Sequence, residues 1–389
     1  MKEKNICIGC QACVEICPCH AIEFSYSDWG EGRACIDMKK CVQCGKCQQI
    51  CPSKNIIFNT PASTVYAAFS KKNQNTGSSG GIFFELANNF ISQGGIVYGA
   101  VFNSDLKLVH ARATDVSKLT KMCKSKYLHS DMSGIYTDIS EMLKKNIKVM
   151  FVGTPCQVSA VKNLFWPKYK ERIFLVDFLC HGTGTQKVFD MCIREEEKRR
   201  NGKIIDFVFR AKTRKVEHNF KYILRRENKD KLISGYSFEF PYYNSFLKYT
   251  IFNEYCYDCK YALNRRVGDI TLGDFWGIQK YNKNLNEKDG ISMISINTEI
   301  GEKYFRQILP KCVAHKYPIE FASNNNQSFR ECEGVNCKIL KHKLEDVLRI
   351  YGTNALIESL RSDILIKQLI YVNTPNFIIK IWHLIRGRK

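Results

Sequence analysis

Eight cysteines in two matching settings restrict what this chain can fold into more than any other feature. Cys7, Cys10, Cys13 and Cys17 are spaced C-x2-C-x2-C-x3-C ahead of Pro18, and Cys41, Cys44, Cys47 and Cys51 repeat the pattern ahead of Pro52. Each cysteine of the first set recurs 34 residues later, so the segment is an internal repeat. Two-residue spacers let one tight turn offer three sulfurs to one iron–sulfur cube, and the three-residue step carries the fourth cysteine to the neighbouring cube. The spacing predicts two [4Fe–4S] clusters, one on Cys7, Cys10, Cys13 and Cys51 and the other on Cys41, Cys44, Cys47 and Cys17. Structural zinc prefers two separated cysteine pairs, unlike this run of four followed by proline. Cys19 and Cys35 stand outside the pattern and read as core thiols. Residues 22–38 alternate enough for short strands, and residues 1–60 read as a ferredoxin-like α+β module with two clusters.

The chain has 389 residues, enough for two or three domains, and 44% of them are hydrophobic, which excludes a disordered protein. No apolar run reaches the roughly 18 residues of a membrane span, and no basic, apolar, small-residue leader opens the sequence. Nineteen cysteines in such a chain read as reduced thiols or metal ligands, and the expected location is cytoplasmic. The formal charge is +21 and uneven: residues 1–60 hold seven Lys and Arg against six Asp and Glu, the rest 52 against 32. That balance favours anionic partners.

Residues 55–64 form a polar passage with Pro61 and mark a boundary. Strand and helix patterns then alternate, as in an α/β domain. A short strand at Val65–Phe69 leads into the loop Gly77-Ser78-Ser79-Gly80-Gly81, a helix pattern follows over residues 82–92, and an apolar strand pattern covers residues 96–102. A glycine-rich loop opening a helix suits an anion such as a nucleotide phosphate, and it equally suits a solvated turn. Two strand-to-helix junctions carry cysteines. After strand 149–153, Thr154 can cap a helix with Pro155 at its first position and Cys156 in its first turn. Strand 173–180 ends in Cys180-His181-Gly182. Were these strands parallel neighbours, Cys156 and Cys180 would share the carboxyl edge where open α/β sheets bind ligands. With Cys256 and Cys259 they would make a third four-thiolate set; the competing reading is a redox or zinc C-x-x-C beside two core thiols.

The motifs Gly153-Thr154-Pro155-Cys156-Gln157, Cys180-His181-Gly182, Cys256-x2-Cys259 and Asp269-Ile270-Thr271-Leu272-Gly273-Asp274-Phe275-Trp276-Gly277 occur in one order. Together with Ser78-Ser79-Gly80-Gly81 and Lys126-Tyr127, they resemble the coenzyme F420 hydrogenase/dehydrogenase beta-subunit family, from about residue 65 to about 296. The resemblance implies an α/β domain over residues 61–300 that binds FAD and a third [4Fe–4S] cluster. It implies an FAD- and iron–sulfur-dependent oxidoreductase that exchanges electrons with a two-electron acceptor. In relatives this acceptor is coenzyme F420 or a chlorophyll derivative. Ser78, Ser79, Gly80 and Gly81 would hold the FAD pyrophosphate. Lys126, Tyr127, Asp274 and Trp276 would line the flavin site, and His181 would shuttle a proton.

Residues 198–231 hold thirteen Lys and Arg against four acids, around two strand patterns. They read as a solvated hairpin or as a dock for an acidic electron carrier or partner redox subunit. Nucleic acid is not expected, since no helix-turn-helix, zinc-finger or RNA-recognition signature accompanies the charge. Residues 301–389 read as a helical extension, with a tail at 364–389 suited to packing as an amphipathic helix or to peripheral contact with an anionic membrane. Cys312, Cys332 and Cys337 receive no role. Two other functions fit the same features: a non-catalytic electron-transfer subunit of a redox complex, and a cluster-based redox sensor.

Overall fold

The computed structural model describes residues 7–212, 221–229, 231–324 and 335–362. The tail at 364–389 and Cys332 lie outside the described residues. The N-terminal repeat is visible in the backbone. Gly9 and Gln43, which are repeat equivalents, both have left-handed φ (68° and 53°), as do Gln11 and Gly45 (64° and 72°). Each C-x2-C-x2-C loop thus turns twice through the region that glycine enters most easily, with glutamine tolerated at the other site. Short helices α1 (Ala12–Ile16) and α2 (Lys46–Gln49) follow the two loops, and between them β1 (Ile22–Tyr26) and β2 (Gly32–Ile36) form an antiparallel hairpin.

The second region is a mixed α/β layer. Its strands are β3 (Thr64–Ser70), β4 (Ile96–Phe102), β5 (Leu108–Ala113), β6 (Val149–Gly153) and β7 (Ile173–Phe178). The helices among them are α3 (Ile82–Ser92), α4 (Val116–Met122), α5 (Ile135–Lys144), α6 (Pro155–Tyr169) and α7 (Gln186–Arg200). A separate three-stranded sheet, β8 (Ile204–Ala211), β9 (Lys221–Arg226) and β10 (Ile233–Tyr236), precedes α8 (Pro241–Leu247) and α9 (Glu254–Tyr257). Then come β11 (Ile270–Asp274), β12 (Ser292–Ile296), α10 (Glu299–Ile308), β13 (Cys312–Pro318), α11 (Ile319–Ser323) and α12 (Val335–Ser362).

The large sheet has eight strands in the order β13-β3-β12-β11-β7-β6-β4-β5. β4, β6, β7 and β11 are parallel neighbours in register, and β3 runs the same way, two antiparallel steps from β11 through β12. Alternation assigns the faces: Ile173 and Leu175 of β7 pack with Val158 and Phe165 of α6, whereas Phe174 and Val176 pack with Phe90 of α3 and Phe305 of α10. β13 pairs with β3 and α10 lies on the same layer, so the sheet continues past residue 300, where the sequence division was drawn. Among the described residues no helix is long and apolar enough to cross a membrane.

Candidate functional site

Because five strands point the same way, their carboxyl ends gather loops that are far apart in sequence. β6 ends at Gly153, and Pro155 opens α6 behind Thr154, as its capping pattern predicts. The Thr154 hydroxyl lies 3.1 Å from the Cys156 sulfur, and Gln157 Nε2 donates to Ser130 Oγ at 2.9 Å, fixing that first turn. β7 pairs in parallel with β6 and leads directly to Cys180. Cys256 sits on α9, whose Asn253 donates its amide and its side-chain Nδ2 to the Thr183 carbonyl, each at 2.8 Å. Cys259 follows one turn later.

Among the described residues no three Cys, His, Asp or Glu side chains are set together as metal ligands, but these four thiols affect one another's ionisation. Burial pushes Cys156 up to about 12, with Cys259 adding to it. Burial likewise pushes Cys180 up, helped by Cys156 and Cys259, and Cys256 up, helped by Cys259, Cys180 and Cys156. Cys259 is raised by burial. Behind it, wholly buried Asp177 of β7 accepts from the amides of Val267 (3.2 Å) and Gly268 (3.0 Å) and pairs with Arg266 Nη2 at 3.3 Å, pinning the loop after Cys259 to the sheet.

The N-terminal cysteines separate into an inner and an outer set. Buried Cys10 is pushed up by desolvation and then by Cys13, Cys7 and Cys51. Cys13 rises to about 12 by burial, with Cys7, Cys51 and Cys47 adding. Of the outer set, Cys41 and Cys47 are half-buried and Cys44 is exposed. Cys17 accepts from the Ala21 amide at 3.3 Å, which lowers its pKa. Cys19, read as core, is half-buried with its sulfur 3.7 Å from that of Cys17. Cys35, also read as core, is exposed, because its two-stranded hairpin has no second layer over that face.

The inner cysteine loop is docked on the α/β layer beside the edge thiols. Tyr136 donates to the Cys10 carbonyl at 2.7 Å, Gln11 Oε1 accepts from the Met132 amide at 3.0 Å, and Tyr261 donates to the Pro52 carbonyl at 2.7 Å. Tyr136 and Tyr261 pack in one apolar cluster with Cys10, against which Cys156 and Cys259 also lie. Far in sequence, Lys341 of α12 clamps the same junction: its buried ammonium pairs with Glu31 (2.7 Å), Glu254 (3.1 Å) and Glu345 (3.1 Å). This gives part of the C-terminal extension a role that its sequence did not announce.

Along the edge from Cys180, His181 lies near Asp274 and Arg210, and burial lowers its pKa. Arg210 of β8 pairs with Asp274 Oδ2 at 2.5 Å and stacks over the Trp276 ring at 5.6 Å. All three line a small depression with Phe275, Glu287, Gly290 and Ile291. Lys212 reaches the carbonyls of Gln74, Ser79 (2.6 Å) and Asp289 (2.9 Å), joining the serine–glycine loop to this depression. Sequence reading missed Arg210 and Lys212 by treating their stretch as a solvated hairpin or docking face; Arg210 is buried, and the signal was its place at the end of an apolar strand.

Other expected flavin residues are placed differently. Gly80 donates to Ser292 Oγ at 2.9 Å and lies against the backbones of β3 and β12, so its missing side chain serves close packing. Gly81 is left-handed at the start of α3. Ser78 Oγ accepts from the Ser125 amide at 2.8 Å, and Ser79 Oγ is buried without a hydrogen-bond partner. Lys126 turns its ammonium to the carbonyls of Met122, Cys123 and Lys124, closing the end of α4. Tyr127 stacks on Phe246 with ring centroids 4.4 Å apart and lies near Arg210 and Asp274. Cys312 is buried on β13, and Cys337 donates to the Lys248 carbonyl across 3.7 Å.

Residues 6–55 match the 4Fe-4S dicluster domain, and residues 147–320 match the C terminus of the beta subunit of coenzyme F420 hydrogenase/dehydrogenase. The chain joins a dicluster iron–sulfur domain to a domain of the F420 hydrogenase/dehydrogenase beta-subunit family. All eight repeat cysteines lie in the first match, and Cys156, Cys180, His181, Arg210, Cys256, Cys259, Asp274 and Trp276 lie in the second, whereas Ser78–Gly81 and Lys126 precede it. Among solved structures, a chain of the F420-reducing [NiFe] hydrogenase complex from Methanosarcina barkeri aligns at 16% identity, over 75% of this chain and 91% of its own, with a TM-score of 0.46. No curated protein matches. These matches relate the chain to subunits of F420-reducing hydrogenases and dehydrogenases and to dicluster iron–sulfur domains.

Proposed function

We propose that the chain is an iron–sulfur flavoprotein oxidoreductase that carries electrons from its N-terminal clusters, through a third cluster, to a two-electron acceptor at FAD. What supports this reading is the placement of Cys156 and Cys180 after the ends of the neighbouring parallel strands β6 and β7, with Cys256 and Cys259 near enough to affect their ionisation. A [4Fe–4S] cluster would draw these four thiolates together around its iron core, which offsets their mutual repulsion when ionised. The same argument supports Cys7, Cys10, Cys13 and Cys51 as one N-terminal ligand set, with Cys41, Cys44, Cys47 and Cys17 as the other.

The polar groups beside the depression fit a flavin dinucleotide. Lys212 and Arg210 offset phosphate charge, Ser79 Oγ has an unused hydrogen-bonding position, and Tyr127 and Trp276 supply aromatic surface. FAD supplies the exchange between one- and two-electron chemistry. His181, next to a proposed ligand and near Asp274, holds or releases a proton at its imidazole. By family, coenzyme F420 is the first acceptor to try, within a redox complex of partner subunits.

The test is cofactor content after anaerobic purification. About twelve irons and one FAD per chain are expected, and Cys156→Ala should leave about eight irons. About eight irons in the parent chain, with no flavin after incubation with FAD, would leave a non-catalytic electron-transfer subunit instead.

A further inference from the structure

The N-terminal module shows two unlike faces. Its inner loop is buried against the α/β layer, with Cys10 only 7% and Gln11 6% exposed. The outer loop turns to solvent. Cys44 is exposed, and around it Met38 and Val42 are each 65% exposed, with Ile36 at 45%. Isolated exposed apolar residues are ordinary, but three within seven positions, beside a proposed cluster ligand, form a patch.

The charge around this patch is mainly positive, with Arg33 paired to Glu31 at 3.7 Å. Residues 32–53 contain Arg33, Lys39, Lys40 and Lys46 against Asp37 as their one acid. All four cationic residues are exposed, and Lys40 lies 3.6 Å from Asp37. Part of the more basic stretch at 198–231 is engaged within the fold, while Lys198, Lys203, Arg225, Lys229 and Lys231 are exposed. Arg199 and Arg200 are paired with Glu196 at 2.8 and 2.7 Å, Arg226 donates to the Arg200 carbonyl, and Arg210 is buried.

We propose that the face formed by Met38, Lys39, Lys40, Val42 and Lys46 is the docking surface for a small acidic protein that carries single electrons. This rests on the cluster assignment above and adds the partner to it. The apolar centre supplies contact and the lysine rim supplies orientation, the division found in transient redox encounters. Each encounter oxidises a reduced carrier by one electron and reduces the chain by one, so two serve each two-electron acceptor.

The experiment uses the full, cluster-loaded chain and a small acidic two-cluster ferredoxin as probe. Carbodiimide coupling, which joins lysines to carboxylates in contact, should map to Lys39, Lys40 and Lys46. The dissociation constant should weaken at least about tenfold between low and physiological salt. Lys39→Glu with Lys40→Glu and Lys46→Glu should weaken binding by at least about tenfold at low salt, and Lys144→Glu with Lys145→Glu should not. Met38→Glu with Val42→Glu should also weaken it. Coupling confined to other lysines, or binding indifferent to the triple reversal, overturns the proposal. Iron analysis of the same samples separates the failures: full iron with charge-indifferent binding defeats the docking surface alone, whereas missing N-terminal iron defeats the cluster reading and the dock with it.

Discussion

The Tyr136 hydroxyl donates a 2.7 Å hydrogen bond to the carbonyl of Cys10, joining α5 of the α/β layer to the inner cysteine loop. The ring is buried and lies near both Cys10 and Cys156. Tyr136→Phe keeps the packing and removes the donor. A hydrogen bond of this kind contributes about 0.5–1.5 kcal/mol, and for a one-electron couple that corresponds to roughly 20–60 mV. The inner cluster should become harder to reduce by that amount, with iron content unchanged. Potentiometric titration followed by electron paramagnetic resonance reads the shift; a potential equal to the parent's would show that the bond serves docking alone.

Lys341 predicts a larger effect. Its ammonium is 1% exposed and pairs with three carboxylates, from the β1–β2 hairpin, α9 and α12. Lys341→Met removes the one cation shared by those carboxylates, leaving Glu254 with Lys338 and Glu31 with Arg33, and breaking a buried ion cluster costs up to about 3–5 kcal/mol. Hydrogen exchange should quicken in residues 22–36 and around Glu254, while the sheet stays protected. The pH window follows from two shifts of opposite sign. Burial alone would raise Glu254, but Lys338 and Lys341 hold it at about 2, so its contribution is present above its ordinary 4.5 and lost as pH falls toward 2. Lys341 is lowered by burial but raised more by Glu31, so its contribution is present below 10.5 and lost as pH rises through its higher folded value. Unchanged exchange in the hairpin would sink the clamp.

Asp177 tests whether the edge thiols act as one set. It is wholly buried and accepts from two amides and Arg266, holding the loop that follows Cys259. Asparagine must turn an NH2 toward one of those donors. Asp177→Asn should therefore lose about four irons per chain and keep the N-terminal eight or so. Retention of all the iron with an unaltered spectrum would show that the loop does not depend on this carboxylate.

How legible these features were depends on the range of the interactions that set them. The repeat spacing, the strands at 149–153 and 173–178 and the proline-started α6 follow from local chemistry, and the expected parallel pairing placed Cys156 and Cys180 on one edge. Arg210 and Lys212 were hidden because charge in a basic stretch carries no mark of burial; only the fold shows Asp274 opposite. Lys341 joins residues more than 300 positions apart, beyond any sequence period. The family motif gives no sign that the Lys126 ammonium donates to carbonyls at the end of its own helix, because that contact depends on how α4 terminates.

Lys212 offers a test of the proposed flavin site with a sign that can be worked out. Burial, helped by Arg210 nearby, lowers its pKa to about 8. In the free protein its charge opposes folding below about pH 8, and that opposition fades as pH rises toward the ordinary 10.5. An anion bound beside it acts the other way, raising the pKa and drawing in a proton. FAD affinity should thus be level below about pH 8 and fall above it, approaching tenfold per pH unit. Lys212→Met should bind more weakly at pH 7 and lose the slope. Lys126, lowered to about 8 as well but turned to the end of its own helix and not to the loops around the depression, should leave the slope intact when changed to Met. Flavin fluorescence titrations from about pH 6.5 to 9.5 distinguish the two, over the range where Lys212 changes charge. A slope that survives in Lys212→Met and vanishes in Lys126→Met would move the phosphate contact from the β8 lysine to the one beside Tyr127.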